Sequence, residues 1–136
     1  MVELTSTIPD AAGVATALTS GTAPGYAPLA IDAVPGEWEF LGSRILANKN
    51  LKLFPAATST SWPSIQGWQI KDTNSNILVF GHIGSGRIID PTQRFKLMPQ
   101  ALKIRIPNVQ QYVSDAFCQL ILGVFQGTNI PALGSF

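Results

Sequence analysis

Residues 54–106 read FPAATSTSWPSIQGWQIKDTNSNILVFGHIGSGRIIDPTQRFKLMPQALKIRI, and this stretch decides the fold. Apolar and polar residues alternate in several of its runs, as where Trp68 and Ile70 alternate with Gln69 and Lys71. A period of two is typical of half-buried β-strands, and the polar, glycine-containing segments between the runs are typical of tight turns. The stretch therefore predicts consecutive antiparallel strands.

The clearest local prediction is a β-hairpin in the middle of this stretch. Ile65–Asp72 and Ile77–Ile83 flank Thr73-Asn74-Ser75-Asn76, whose residues tolerate the left-handed backbone conformation that hairpin turns use. Gly84-Ser85-Gly86 predicts the next turn, with glycines at positive φ. Further strands are predicted at Arg87–Ile89, at Arg94–Leu97 and across Leu102, Ile104 and Ile106.

N-terminal to this stretch, shorter apolar runs predict four more strands. They are Val2–Ile8, Leu29–Val34, Glu37–Leu41 and Leu51–Phe54. The residues from about 9 to 28 are small and turn-prone, so we expect an extended N-proximal arm or a long loop there. Because long loops within a compact domain commonly bind something, this arm is a candidate for contacts with neighbouring subunits.

After Pro107 the apolar period changes from that of a strand to that of a helix. The residues at helical spacing are Tyr112, Val113, Phe117, Leu120, Ile121 and Val124. Ser114-Asp115 can cap a shorter version of this helix, and Gly127 can end it. The alternative is that Leu120–Phe125 forms one more strand. We expect one C-terminal helix followed by an apolar tail, together occupying residues 108–136.

Composition indicates a turn-rich β protein that associates with other chains. At 136 residues, the chain is expected to form one domain with a real core. Charged residues make up only 12%, about half the usual share, alongside 12 glycines and 10 prolines. Much of the exterior must therefore be neutral or apolar, and such surfaces tend to be buried against other chains.

The charges are distributed unevenly along the chain. Five acidic residues precede the first cation, Arg44, whereas only Asp72 and Asp90 interrupt the cations from Arg44 to Arg105. This asymmetry can let copies meet head to tail, or let the basic part face an acidic partner surface. Alternatively, the two halves neutralise each other within the folded chain.

Residues suited to catalysis are sparse. His82 is the only histidine, and its place beside Gly81 at the end of a predicted strand favours a satisfied or solvent-facing imidazole. Cys118 is the only cysteine and lies in an apolar run, which favours a buried structural thiol. We expect neither an enzyme nor a bound cofactor.

Metal and phosphate motifs are also incomplete. Structural zinc needs four ligands, which one His and one Cys cannot supply without unusual help from carboxylates. Asp72-Thr73-Asn74-Ser75-Asn76 faintly resembles a calcium loop but lacks the closing Glu, so an Asn/Asp turn is favoured. Gly81–Arg87 has spaced glycines, yet Arg87 and Ile88 stand where a phosphate loop has Lys and Ser/Thr. We therefore expect no metal site.

Two binding interpretations compete with a purely structural one. Trp62 and Trp68 could form a sugar-stacking platform, although aromatic residues on strands are more often part of the core. The cations could contact nucleic acid, but they are spread over several predicted strands without an aromatic recognition motif, which favours a solvated or subunit-facing surface. We therefore expect no nucleic-acid partner. With no basic leader and no bilayer-length apolar run, we also expect no membrane partner, and a protein made and kept in a reducing cytoplasm or assembled into a particle there.

Residues 2–106 resemble a family of small tailed-bacteriophage virion proteins, often labelled tail-fibre-like. The matching residues are Gly25, Tyr26-Ala27, Phe54-Pro55, Ala57-Thr58, Ser61-Trp62-Pro63, Ile65, Ile70, Asp72, Asn76-Ile77-Leu78, Gly81, Phe95, Ala101-Leu102 and Ile104. Pro63 and Gln100 replace glycines of the family pattern, and the helix that other members carry before the first strand stands last here. This order would suggest a permuted or exchanged terminal segment.

The resemblance implies a mainly β fold, an antiparallel β-sandwich of jelly-roll type, in a virion structural protein. We expect a capsid decoration (cement) protein that forms a homo-oligomer, a trimer, on the lattice of the major capsid protein and acts through buried area and multivalency. The alternatives are a tail or tail-fibre-associated subunit and a receptor- or carbohydrate-binding module. The residues expected to make intersubunit contacts are Ile8, Pro9, Val14, Leu18, Tyr26, Leu29, Ile130, Leu133 and Phe136.

Overall fold

The computed structural model describes residues 1–107 and 114–127, which form a mainly β structure with three small antiparallel sheets and one short C-terminal helix. This confirms the predicted mainly β class and the single helix in this part of the chain. The strands are β1 Val2–Thr5, β2 Trp38–Gly42, β3 Ile45–Asn48, β4 Lys52–Leu53, β5 Ile65–Lys71, β6 Ile77–Arg87, β7 Lys96–Leu97 and β8 Lys103–Arg105. The helix α1 spans Asp115–Leu122, and a 3-10 turn follows at Gly123–Gln126.

The chain groups into two compact units, each assembled from two separate stretches of sequence. Unit 1 contains Met1–Ile31 and Lys52–Lys96, and unit 2 contains Asp32–Leu51 and Leu97–Phe136. The prediction of one domain stays a prediction. Unit 1 holds the sheet β1-β5-β6, unit 2 holds the sheet β2-β3-β8, and the third sheet consists of β4 and β7.

The sheet of unit 1 has β5 at its centre. β1 pairs with β5 from Val2 opposite Ile70 to Thr5 opposite Gly67. Val2, Leu4 and Ile70 are buried, as the alternation predicts, but Thr5 and Gln69 on the opposite face are buried as well, so the prediction of a polar outer face is wrong there. β1 ends at Thr5, earlier than the predicted Ile8, and the chain bends at Ser6 and Thr7, where the backbone N–H of Ser6 donates to the carbonyl of Thr16.

Aromatic side chains fill the remainder of the core of unit 1. The Tyr26 ring lies edge-on to Trp62, with ring centroids 5.4 Å apart, and is stacked on Phe54 at 6.1 Å. Phe54 in turn meets Phe95 edge-on at 5.8 Å. Indole Nε1 of Trp62 donates to the carbonyl of Pro24 at 2.9 Å. A buried Trp whose N–H is satisfied is a core residue, which confirms the core interpretation of Trp62.

Residues 9–28 form a long loop rather than an extended arm. Their backbone returns along β1, where Leu18 donates to the carbonyl of Leu4 at 2.9 Å and Ala17 forms an isolated bridge with Thr5. Leu18, Ala23 and Tyr26 are buried within unit 1. The apolar residues of this segment therefore have a place inside their own unit, which the weak periodicity of the sequence did not reveal.

The hairpin β5–β6 is confirmed, but β6 runs further than predicted. The turn contains Ser75 at φ 65°, the left-handed conformation expected of it. The predicted turn at Gly84-Ser85-Gly86 is wrong, because β6 continues through it to Arg87 and neither glycine has a positive φ. Between the pairs Gly67–His82 and Ile65–Arg87, four residues of β6 lie opposite one residue of β5, so these glycines lie in an irregular bulge.

Unit 2 contains a strand that the sequence patterns missed and lacks one that they predicted. β3 pairs with β2, where Trp38 lies opposite Asn48, and with β8, where Leu46 lies opposite Ile104. The sequence did not single out β3, whose last three residues are all buried and show no alternation. The predicted strand Leu29–Val34 is wrong, since only Leu29 forms an isolated bridge, to Val2.

The C-terminal helix is the shorter, Ser114-capped version of the prediction. The hydroxyl of Ser114 accepts the backbone N–H of Phe117 at 3.2 Å, and Asp115 lies in the first turn. Gly127, at φ 79°, ends the 3-10 turn, and the alternative strand at Leu120–Phe125 is wrong. Cys118 and Leu122 are the buried residues of α1, whereas Phe117 and Val124 from the predicted apolar face are partly exposed. Tyr112 and Val113 lie outside the described residues.

Candidate interaction surface

Strand β6 is an unpaired edge of the sheet in unit 1. The sheet order places β5 on one side of β6, and within residues 1–107 and 114–127 no strand lies on its other side. No backbone hydrogen bond of the described residues reaches that side either. β6 spans 11 residues, about twice the usual strand length, so it presents a long row of open backbone donors and acceptors.

The side chains of β6 leave this edge apolar. Ile77, Leu78 and Phe80 are 38%, 48% and 38% exposed. No charged residue and no proline occurs between Ile77 and Gly86. Natural edge strands are usually protected by Lys, Pro, a bulge or a covering element. Lys and Pro are absent between Ile77 and Gly86, and no strand of the described residues covers the edge, although β6 has bulges at Leu78 and after His82. An edge of this kind is suited to pairing with another chain.

The N-terminal loop extends this apolar surface. A Cβ on Gly13 would lie 2.7 Å from Cδ1 of Phe80 and 3.3 Å from Cγ2 of Ile77, so the loop backbone lies directly against both side chains. Val14, the next residue, is exposed. We call Val14, Ile77, Leu78 and Phe80 the β6 surface.

Tight contacts hold β6 in place from behind. A Cβ on Gly81 would lie 2.7 Å from the Trp68 ring, which therefore lies flat against the strand. At the turn, the Asp72 carboxylate accepts from the backbone N–H groups of Asn74 and Asn76, at 2.8 and 2.9 Å, and from Nδ2 of Asn76 at 2.9 Å. These bonds hold the pKa of Asp72 below its usual value, the side-chain bond from Asn76 contributing most.

A charged cluster anchors the opposite edge of the same sheet. Oε2 of Glu3 accepts from Nε2 of Gln69 at 2.7 Å and forms an ion pair with Nζ of Lys71 at 3.0 Å. Behind β1, the backbone N–H of Leu4 donates to the hydroxyl of Tyr26 at 2.9 Å. Burial raises the pKa of Tyr26 to about 12. The two edges of the sheet therefore differ in character: within the described residues, the β6 edge is apolar and unpaired, whereas the β1 edge is bridged by Ala17 and Leu29.

The residues expected to make intersubunit contacts divide into three groups. Ile8 and Val14 are exposed, while Pro9 and Leu29 are half-buried. Leu18 and Tyr26 are buried in unit 1, where they offer no surface to another chain. Ile130, Leu133 and Phe136 lie outside the described residues. Ile77, Leu78 and Phe80 were not among the predicted contact residues, although their uncharged, proline-free run was a usable signal.

The residues weighed for catalysis do not form a cluster in the part of the chain that the structure describes. His82 is exposed on β6, and Cys118 is buried, with Nη1 of Arg44 at 3.2 Å from its Sγ. No group of three His, Cys, Asp or Glu side chains in residues 1–107 and 114–127 could hold a metal ion. Nor does any helix in those ranges have the length and apolar character needed to cross a bilayer.

Comparisons with protein-family models, with curated proteins and with solved structures found no match to this chain.

Proposed function

We propose that this protein is a structural subunit that works by binding other protein chains. We further propose that it is a cement protein, which decorates the head of a tailed bacteriophage by binding the major capsid protein lattice. The open apolar edge of β6 is the observation that supports a protein-binding role. The virion setting is supported by the resemblance of residues 2–106 to small phage virion proteins. In this proposal the chain is a β-sandwich of jelly-roll type, which an experimental structure of the assembled protein would test.

The partner that we propose for the β6 surface is the β6 strand of a second copy. Residues Ile77–Gly86 carry no charge, so two copies can pair without like-charge repulsion. An antiparallel pair places the two Arg87 side chains at opposite ends, whereas a parallel pair would place them side by side. Such a pair would join two sheets and bury the exposed Phe80 of both copies.

Multivalency explains how self-association would serve a cement protein. Each copy in an oligomer contributes its own weak contacts with the capsid, and simultaneous release of all of them is improbable. Among the described residues that the sequence predicted as contacts, Ile8 is an exposed candidate for such capsid contacts outside the β6 surface. A trimer, the size expected from the sequence, would need a head-to-tail interface instead of a two-fold one.

Leu78→Lys tests the role of the edge. A lysine at this exposed position adds the kind of charge that natural proteins use to block edge pairing, so we expect self-association to weaken by at least about tenfold while the fold is kept. Leu51→Lys is the matched control, because both leucines are 48% exposed and Leu51 lies in unit 2. Sedimentation velocity over a concentration series gives the mass. A wild-type monomer, or equal weakening by both variants, would contradict the proposal.

The virion setting is tested by the number of copies per particle. Densitometry of this chain in gels of purified particles should give hundreds of copies for a capsid protein, in keeping with the many lattice positions of a head. A handful or a dozen copies would favour the tail-associated alternative, and absence from particles would remove the virion setting. The carbohydrate-binding alternative needs a platform of two rings, but Trp62 is buried and cannot present its ring to a sugar. Trp68 is half-buried, with its ring against Gly81.

A further inference from the structure

A second surface feature lies at the C-terminal end of β6, in unit 1. An open cavity of about 680 Å³ is lined by residues between Gly86 and Lys96. Three of its lining side chains are cations, Arg87, Arg94 and Lys96, and its lining contains no carboxylate. Concave surfaces lined by one sign of charge concentrate their electrostatic potential and attract ligands of the opposite charge.

None of these three cations is neutralised within the described parts of the chain. The ion pairs Arg44–Asp115 and Lys71–Glu3 do not involve the cavity. The nearest acidic residue in sequence, Asp90, does not line the cavity, and its Oδ1 accepts a hydrogen bond from the Ser61 hydroxyl at 2.6 Å. The cavity therefore has a local excess of positive charge.

The loop that carries the cations is held on both sides. Trp62 donates its backbone N–H to the carbonyl of Ile89 at 2.9 Å, and Phe54 donates to that of Phe95 at 3.0 Å. Ala57 donates to the carbonyl of Gln93 at 2.9 Å and accepts from Thr92 at 2.8 Å. Arg94 thus projects from a segment that is anchored immediately before and after it. Anchoring of this kind lowers the ordering cost of binding.

The other lining residues indicate what kind of anion fits. The lining contains no aromatic ring, whereas proteins that bind single-stranded nucleic acid stack bases on aromatic side chains. Ile88, by contrast, is 63% exposed in the middle of the cations. Arginine pairs with carboxylates through two parallel hydrogen bonds, and an exposed isoleucine is covered best by another apolar side chain. These features favour a protein segment that carries both acidic and apolar residues.

We propose that the cavity formed by Arg87, Ile88, Arg94 and Lys96 is a docking site for an acidic, partly apolar segment of a partner protein. The two arginines and the lysine bind its carboxylates, and Ile88 packs against an apolar side chain between them. This site is separate from the β6 surface and does not depend on the virion setting.

The test uses the full-length protein and a fluorescent peptide of alternating Glu and Leu, with a Gln and Leu peptide, inorganic tripolyphosphate and an oligothymidylate as comparisons. We expect the Glu peptide to bind, and the Arg87→Gln/Arg94→Gln variant to weaken binding by at least about tenfold. Lys49→Gln/Arg105→Gln removes the same charge from unit 2 and should leave the affinity unchanged. Ile88→Ser should weaken the Glu and Leu peptide but not an all-Glu peptide. Circular dichroism confirms that each variant is folded.

Backbone amide shifts in NMR spectra locate the bound peptide. The site requires the largest shifts between Gly86 and Lys96. Absence of peptide binding, equal loss in both double variants, shifts elsewhere in the chain, or tighter binding of tripolyphosphate or the oligothymidylate would each overturn the proposal.

Discussion

At the scale of single residues, Tyr26 shows how a loop side chain becomes part of a core. Its ring packs between Phe54 and Trp62, and its hydroxyl satisfies the backbone N–H of Leu4. The sequence placed Tyr26 among the candidates for contacts with other subunits. Its actual neighbours are distant in sequence, so only the folded chain shows that the ring is already covered.

Tyr26→Phe should lower the free energy of unfolding by about 1–3 kcal/mol, because it leaves the buried N–H of Leu4 without its acceptor. Equilibrium urea unfolding at neutral pH measures this loss. Tyr112→Phe, at the only other tyrosine of the sequence, is the control for removal of a phenolic hydroxyl group. Unchanged stability in Tyr26→Phe would mean that the hydrogen bond is not made in solution.

The raised pKa of Tyr26 predicts that the protein loses stability at alkaline pH. Its pKa is raised to about 12 in the folded protein, whereas an unfolded tyrosine titrates near 10. Between these two values the folded protein keeps the Tyr26 proton that the unfolded chain releases. The free energy of unfolding is therefore unaffected by this group below about pH 10 and decreases as the pH rises toward about 12. Urea midpoints across this range should fall less steeply for Tyr26→Phe than for the wild type. Parallel curves would contradict the assignment.

At the scale of secondary-structure elements, the Asp72 carboxylate and two backbone hydrogen bonds together close the turn of the β5–β6 hairpin. The carboxylate accepts three hydrogen bonds from Asn74 and Asn76. The polar spacing of this turn was readable from the sequence, since Asp and Asn are the residues that form such local bonds. The length of β6 could not be predicted, because Gly84 and Gly86 are as typical of a bulge as of a turn.

Asp72→Ala should destabilise the hairpin and remove a pH dependence. The pKa of Asp72 is lowered in the folded protein, so its stabilising contribution is present above the unfolded pKa of a carboxyl group and is lost as the pH falls through the lower, folded value. We expect the urea midpoints of wild type and variant to differ at neutral pH and to converge in acid. Asp10 lies in another exposed loop, and its carboxylate also accepts two backbone N–H groups. Asp10→Ala therefore tests whether the effect is specific to this hairpin. A difference that persists in acid would contradict the role given to the carboxylate.

At the scale of the whole molecule, the two proposed surfaces differ in physical character. The β6 surface is uncharged between Ile77 and Gly86, whereas the cavity beyond it is lined by three cations. Exposed charges are screened over about 10 Å at about 0.1 M salt, while apolar burial is not weakened by salt in this way. The two kinds of association should therefore separate in one titration.

Raising the salt from about 0.05 M to about 0.5 M should weaken binding of the acidic peptide by at least about tenfold and leave self-association unchanged or stronger. Sedimentation velocity and fluorescence anisotropy on the same samples measure the two effects. If the oligomer dissociates as the salt concentration rises, then attraction between opposite charges, as in a head-to-tail contact, joins the copies, and the β6 strands do not.

Local patterns in the sequence alone determined the mainly β class, the β5–β6 hairpin, the Ser114 cap, the end at Gly127 and the burial of Cys118, because each depends on residues a few positions apart. Tertiary structure decided the rest. β3 is buried throughout its last three residues and shows no alternation, residues 9–28 find their place only along β1, and β6 is an edge because no other described strand reaches it. The three cations line one cavity only because the loop after β6 is bound to Phe54, Ala57 and Trp62. Pairing and burial of this kind join residues that are distant in sequence, and local periodicity carries no record of them.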